Sequence, residues 1–398
     1  MLIARGPGEF HLERKIFMTK LDCVIKNGHV VDPARGLDCV SDIAIVNNKI
    51  VELPAEYEAL RIVDASGCYV FPGLIDFHAH VFRAGSGVSV RPDYLLATGV
   101  TAAVDAGTAG CSNFEAFYSS TVVPSQIRMK SYLNMYGSGQ TDYNIIEKFD
   151  VPEFRPLAIR RLVEKYRDNI LGLKIRMSEG VAVDMAAMDY TMELAGELGI
   201  GVCVHVSRPL VPLDEIVSRL RPGDIYCHMY QNVGIDNILD KATGKIKRSM
   251  LEARERGVIF DAANGKMNFN INTCKEAVSQ GFWPDVISSD WLSDKYNFSP
   301  YTKNLMFIVT KYLQLGMPLN QALAAVTSTP ARLMHMEGRI GTLAPGAYAD
   351  ISIFKVIDKK ARHLDFDGAP FETDRLFIPQ MVISDGEFAF CQADFALI

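Results

Sequence analysis

Eight short apolar runs, most of them followed by a run with helical periodicity, and two β-rich pieces flanking them predict an α/β chain. The expected architecture is a (β/α)8 TIM-type barrel with a small β-sandwich domain formed from the N- and C-terminal segments. A third observation gives the barrel its rim: four histidines and an aspartate follow such runs directly, and a barrel gathers its strand ends on one face. The expected division is 1–20 as a leader, disordered or upstream of a true start at Met18; 21–70 plus 343–398 as the sandwich; and 71–342 as the barrel.

The N-terminal piece alternates β-rich runs with turn residues over 22–32, 42–53 and 61–70, and Asn47 and Asn48 sit where a tight turn would reverse the second run. The same texture returns at 348–356 and 377–390, so the two pieces are expected to pair. Between them the strand-like runs lie near Phe71–Phe77, Val100–Ala106, Ile127–Asn134, Leu171–Ile175, Gly201–His205, Asp224–His228, Val258–Ala262 and Val286–Ser289. Intervening segments such as 156–169, 184–199 and 249–257 carry apolar residues at helical spacing. Low-complexity tracts and internal repeats are absent, which argues against a solenoid.

Composition excludes several classes. With 398 residues, 48% hydrophobic and 22% charged, the chain reads as folded rather than disordered or fibrous. A formal net charge of -6 argues against gripping phosphate backbones, so nucleic acid is not an expected partner. No apolar run approaches the length of a membrane-spanning helix. The eight cysteines are scattered, without a C-x-x-C pair, and read as reduced and mostly buried. Residues 1–17 carry charges throughout and lack an apolar signal core, so the cytoplasm is the expected location. A small-molecule substrate and a homo-oligomeric assembly complete the expected partners.

The chemistry stands at the strand ends. His78 and His80 follow FPGLIDF, His205 ends GVCVH, His228 ends DIYCH, and Asp290 ends DVISSD. His78 and His80 are two apart, so an extended backbone projects both imidazoles from one face, where they can grip one ion. His11, His29, His335 and His363 have no comparable setting and read as ordinary structural histidines. Lys174 interrupts an otherwise apolar run. It either points outward to solvent or faces the interior, where burial favours the neutral amine. A neutral amine can add carbon dioxide to give a carbamate, an anion able to bridge two cations.

FPGLIDFHAH, the lone strand lysine, the two later strand-end histidines, SSD, and the tail NLMFIVTKYLQLGMPLNQALAAVTSTPARLM with GTLAPGAYADISIF together resemble the amidohydrolase superfamily. GVTAAVDAGTAGCSNFEAF and ALAAVTSTPARLM resemble its dihydroorotase-like deacetylase branch. The resemblance runs from about Leu21 onward. It implies a binuclear centre in which His78, His80 and Asp290 hold one metal, His205 and His228 hold the second, and carbamylated Lys174 bridges them. It further implies that Asp290 is the catalytic base and proton shuttle in hydrolysis of an amide, cyclic amide or ester. Two divalent ions are expected, zinc first, with manganese, iron or cobalt as alternatives.

Substrate contacts are Arg176, on the strand face of Lys174; Tyr136, after the third strand; and Asn264, where relatives of the deacetylase branch present a histidine. An ordinary ion pair for Arg176 and simple packing for Tyr136 are the competing readings. Cys203 shares a face with His205 and reads as a buried thiol. The rival functions are a deaminase of the same superfamily and a non-catalytic scaffold relative. Lys174 weighs against the first, the complete ligand set against the second.

Overall fold

The computed structural model describes residues 18–265, 268–293 and 304–395. The leader therefore lies, apart from residues 18–20, outside the described residues.

β1 (Thr19–Asp32), β2 (Leu37–Val46), β3 (Lys49–Val51), β4 (Tyr57–Asp64) and β5 (Tyr69–Pro72) build the N-terminal piece. The expected reversal is present: Val46 pairs with Lys49, and Asn47 takes φ +54°, a left-handed conformation that asparagine tolerates. β13 (Ile351–Leu364), β14 (Pro370–Ser384) and β15 (Glu387–Cys391) supply the C-terminal piece. The two ends meet in one eight-stranded mixed sheet, joined where β5 runs antiparallel to β13 with Val70 opposite Ile353. Ile25, Ile45, Val70, Ile351 and Met381 form its buried core.

β6 (Leu74–Ala79), β7 (Val100–Asp105), β8 (Arg128–Asn134), β9 (Ile170–Arg176), β10 (Gly201–His205), β11 (Ile225–Cys227) and β12 (Ile259–Asp261) form a seven-stranded parallel sheet in strictly sequential order. Side chains alternate between its faces. Ile75, Phe77, Val104, Cys203 and Cys227 share an inner cluster with Ala331 and Met334, whereas Leu74, Val100, Val202 and Val204 join the outer core beneath the helices. The expected helices are observed at Pro156–Lys165, Ala186–Leu198 and Arg248–Glu255. Pro156 opens the first at a position needing no N–H, and Gly199 ends the second at φ +63°.

The eighth run differs from expectation. Residues 286–291 make isolated parallel bridges, Asp261 with Val286 and Ala79 with Trp291, instead of a regular strand. The cause is local. Ser289 N–H donates to Asp76 at 3.0 Å rather than to a ladder carbonyl, and the Ser288 and Ser289 hydroxyls bond Asp261 and Asp76. Among the described residues no helix is long and apolar enough to cross a membrane.

Candidate metal centre

β6 delivers His78 and, one residue past its end, His80; β9 carries Lys174; β10 ends on His205; His228 directly follows β11. His78, His80, Lys174, His228 and Asp290 are at most 6% exposed. His205 is partly exposed. Lys174 thus faces the interior, and the solvent-facing alternative falls. Two of these residues bend the backbone into the left-handed region, His228 at φ +66° and Asp290 at φ +49°. Asp290 N–H is held there by the His78 carbonyl at 2.7 Å.

Donor atoms of His78, His80 and Asp290 lie within 4.8 Å of one another. Asp290 Oδ1 stands 3.4 Å from His80 Nε2 and 3.7 Å from His78 Nε2. The opposite nitrogen of each ring is already engaged. His78 Nδ1 lies 3.1 Å from Asp261, His80 Nδ1 2.7 Å from the Thr108 hydroxyl, and His228 Nδ1 2.8 Å from the Ala263 carbonyl. The Thr108 hydroxyl donates onward to Asp105 at 2.8 Å. An imidazole that donates its Nδ1 proton to a fixed acceptor keeps its Nε2 lone pair for a cation. His228 Nε2 meets His205 Nδ1 at 2.8 Å, and the His78 and His228 rings lie 5.3 Å apart, so a second pair of nitrogens gathers beside the first group.

Burial controls the protonation states. It drives His78 and His205 well below the usual imidazole range and brings His228 to about 3, so all three are neutral, the form that binds metal. Burial opposes ionisation of Asp290, but the hydrogen bond with His80 and the neighbouring His228 and His78 outweigh it and hold the carboxyl below its ordinary range. Asp76 and Asp261 go the other way, pushed by burial to about 7 and about 6.

Lys174 departs from the expectation of a neutral amine. Burial pushes its pKa down, but the Cys203 and Cys227 sulfurs and Asp290 overcome this, and the net direction is up. Its Nζ donates to Cys203 Sγ at 3.4 Å. Gly107, at φ +87°, lets the neighbouring loop approach it: a Cβ there would stand 2.5 Å from Lys174 Cβ.

The substrate candidates divide. Arg176 is the strand partner of His205 and forms an ion pair with Glu147, a carboxylate 2% exposed that also accepts from Asn134 Nδ2 at 2.6 Å. The Arg176 Nε is buried without a hydrogen-bond partner. Tyr136 packs against the outer core. Asn264 is fully buried, accepting from Lys311 Nζ at 2.8 Å and donating to the Ser288 carbonyl at 3.3 Å.

Sequence reasoning missed Asp105, Asp261, Glu147 and Asn268, which donates to Asp290 Oδ2 at 3.0 Å. Asp105 and Asp261 carried a usable signal, a lone carboxylate ending an apolar strand, the same rule that marked the histidines. Size alone does not mark the site. A cleft of about 1520 Å³ opens at the opposite end of the strands, between residues such as Lys130, Asp168, Gly201 and Arg339, and none of the six ligand candidates lines it.

Comparisons with known proteins place the chain in a family. The chain is 29% identical over 351 residues to a deacetylase of Brucella anthropi, covering 85% of this chain and 83% of that protein. A deacetylase of Agrobacterium fabrum is 28% identical over 337 residues, 82% of this chain and 80% of that one. Among solved structures, an adenine deaminase superposes with TM-score 0.84 at 26% identity, covering 94% of this chain and all of that one. A dihydroorotase follows with TM-score 0.82 at 26% identity, covering 93% and 98%. Residues 69–389 match the model of the amidohydrolase family, and that match spans the parallel sheet, the inward-facing histidines and Asp290: the chain belongs to the amidohydrolase family.

Proposed function

We propose that the chain is a binuclear hydrolase that cleaves an amide, cyclic amide or ester bond of a small acylated molecule, with the deacetylase relatives as the best guide to its reaction. Family membership makes it a metal-dependent hydrolase of small molecules. The observation that carries the reading is the convergence of His78, His80 and Asp290 with the far nitrogen of both rings already committed to Asp261 and Thr108. A nitrogen and oxygen donor set of this kind suits zinc, with manganese, iron or cobalt as alternatives. His78, His80 and Asp290 would hold one ion, His205 and His228 the other, with the carbamate of Lys174 between them. Two divalent cations bound there supply an activated water at neutral pH and polarise the scissile carbonyl.

The chain's own residues do the rest. Asp290, held ionised and steadied by Asn268, takes the proton from the attacking water and returns it to the leaving group. Lys174 must give up its ammonium proton and its thiol partner before it can add carbon dioxide. Arg176 is the candidate anchor for a substrate carboxylate, with Tyr136 and Asn264 as further candidates around the pocket. The fold reading that goes with this function is a (β/α)8 barrel over 71–342, its eighth position filled by 286–291, carrying a β-sandwich of 21–70 and 343–398.

Zinc-loaded protein should be assayed on N-acyl amino acids, lactams and acyl esters, with bicarbonate present. Release of carboxylic acid supports the reading; release of ammonia from purines or pyrimidines without acid release replaces it with the deaminase.

A further inference from the structure

Beside the candidate metal centre lie two thiols that its chemistry does not use. Cys203 on β10 and Cys227 on β11 are 2% and 0% exposed, and their sulfurs are 3.2 Å apart. Both face the inner cluster of the sheet. The two sulfurs and a ring nitrogen of His78 all lie within 4.8 Å of one another. The Lys174 ammonium points at the first sulfur from 3.4 Å.

We infer that Cys203, Cys227 and His78 form a second metal site, one that takes a soft, thiophilic cation and competes with the hydrolytic centre for His78. Thiolates select soft ions, whereas the histidine and carboxylate group above prefers borderline ones. The geometry is close to what such an ion needs. At the zinc–thiolate distance of about 2.3 Å, two sulfurs bound tetrahedrally lie about 3.8 Å apart, so the pair has to open by about 0.6 Å for an ion of that size and somewhat more for a larger one such as cadmium. Binding breaks two S–H bonds, forms two sulfur–metal bonds and releases two protons, with no oxidant required. The adjacent Lys174 ammonium offsets the thiolate charge. A cation held by the two sulfurs draws on His78, which the centre above also needs, so the two metal states exclude each other. That exclusion rests on the binuclear reading above; the thiolate site itself does not.

The test titrates metal-depleted, full-length protein with cadmium, following thiolate-to-cadmium charge-transfer absorption in the ultraviolet and bound cadmium after desalting. Wild type should develop the band with one equivalent. Cys203→Ser/Cys227→Ser should abolish it, whatever cadmium the histidine and carboxylate group then takes up, while His80→Asn should retain it. Cadmium binding without the band in wild type, or a band that survives in the double serine variant, overturns the site. If that variant does not fold, X-ray absorption of cadmium-loaded wild type decides: two sulfur neighbours support the site, and only nitrogen and oxygen neighbours refute it. Failure of the hydrolase assays with zinc would leave these outcomes unchanged.

Discussion

Replacing Asp261 with asparagine separates ligand orientation from fold stability. Asp261 Oδ2 stands 3.1 Å from His78 Nδ1, while its Oδ1 accepts from Ser288 Oγ at 2.5 Å and from the Ala263 N–H at 3.1 Å. The amide carbonyl of an asparagine can keep both bonds at Oδ1, which sets its NH2 group against His78 Nδ1. The ring must then accept there and carry its proton on Nε2, the atom turned toward Asp290. Loss of such an orienting partner costs about 10–100-fold in metal affinity, about 1.4–2.7 kcal/mol. The fold loses little. Burial raises the Asp261 carboxyl from 3.8 to about 6, which means that its ionised form weakens the native state by roughly 3 kcal/mol, and the neutral amide removes that cost. Chelator competition should therefore show weaker metal binding, while calorimetry of the metal-free variant shows unchanged or higher Tm. Metal affinity within about threefold of wild type, together with a lower Tm, would mean that Asp261 serves packing rather than ligand orientation.

Lys174→Ala should lose about half of the tightly bound metal and most activity, with partial rescue by short carboxylic acids; full metal content would contradict the bridging role. Stability of the metal-free protein should rise with pH between about 4 and 6.5. His228, at about 3 folded against 6.5 unfolded, contributes stability that is complete above 6.5 and lost as pH falls toward 3; His78 and His205 act in the same sense. Asp76, at about 7 against 3.8, Asp261 and Asp350 act oppositely, losing stability as pH rises through that range, so the three histidines are opposed by three carboxylates. Denaturant midpoints that fall over that range would show the carboxylates dominating. Arg176→Gln should be made together with Glu147→Gln, because a charged Glu147 left buried and unpaired would cost about 3–5 kcal/mol. The double variant should raise KM for carboxylate-bearing substrates and not for uncharged ones; equal effects on both classes would reduce the pair to structure.

The centre was legible because strand ends announce themselves. An apolar run that stops on a histidine or aspartate leaves that side chain at the rim, and sequential βα order brings the rims together, so His78, His80, His205, His228 and Asp290 could be placed by position alone. Lys174 was legible as an intruder in an apolar strand, but not its charge state, since Cys203 and Cys227 reach it only once β9, β10 and β11 lie side by side. Glu147 and Asn268 sit in irregular segments with no periodicity to betray a direction. The irregular eighth position was likewise hidden: Val286–Ser289 looks like a strand until its serines are seen serving Asp76 and Asp261 on either side.

The left-handed backbone at His228 and Asp290 has an evolutionary consequence. Holding a non-glycine residue in that region costs on the order of 1–3 kcal/mol, a burden the surrounding sheet carries for the sake of where the two side chains point. Glycine at either position would relieve it. Selection of the metal-free protein for heat tolerance alone is therefore expected to favour His228→Gly and Asp290→Gly, changes that leave the scaffold intact.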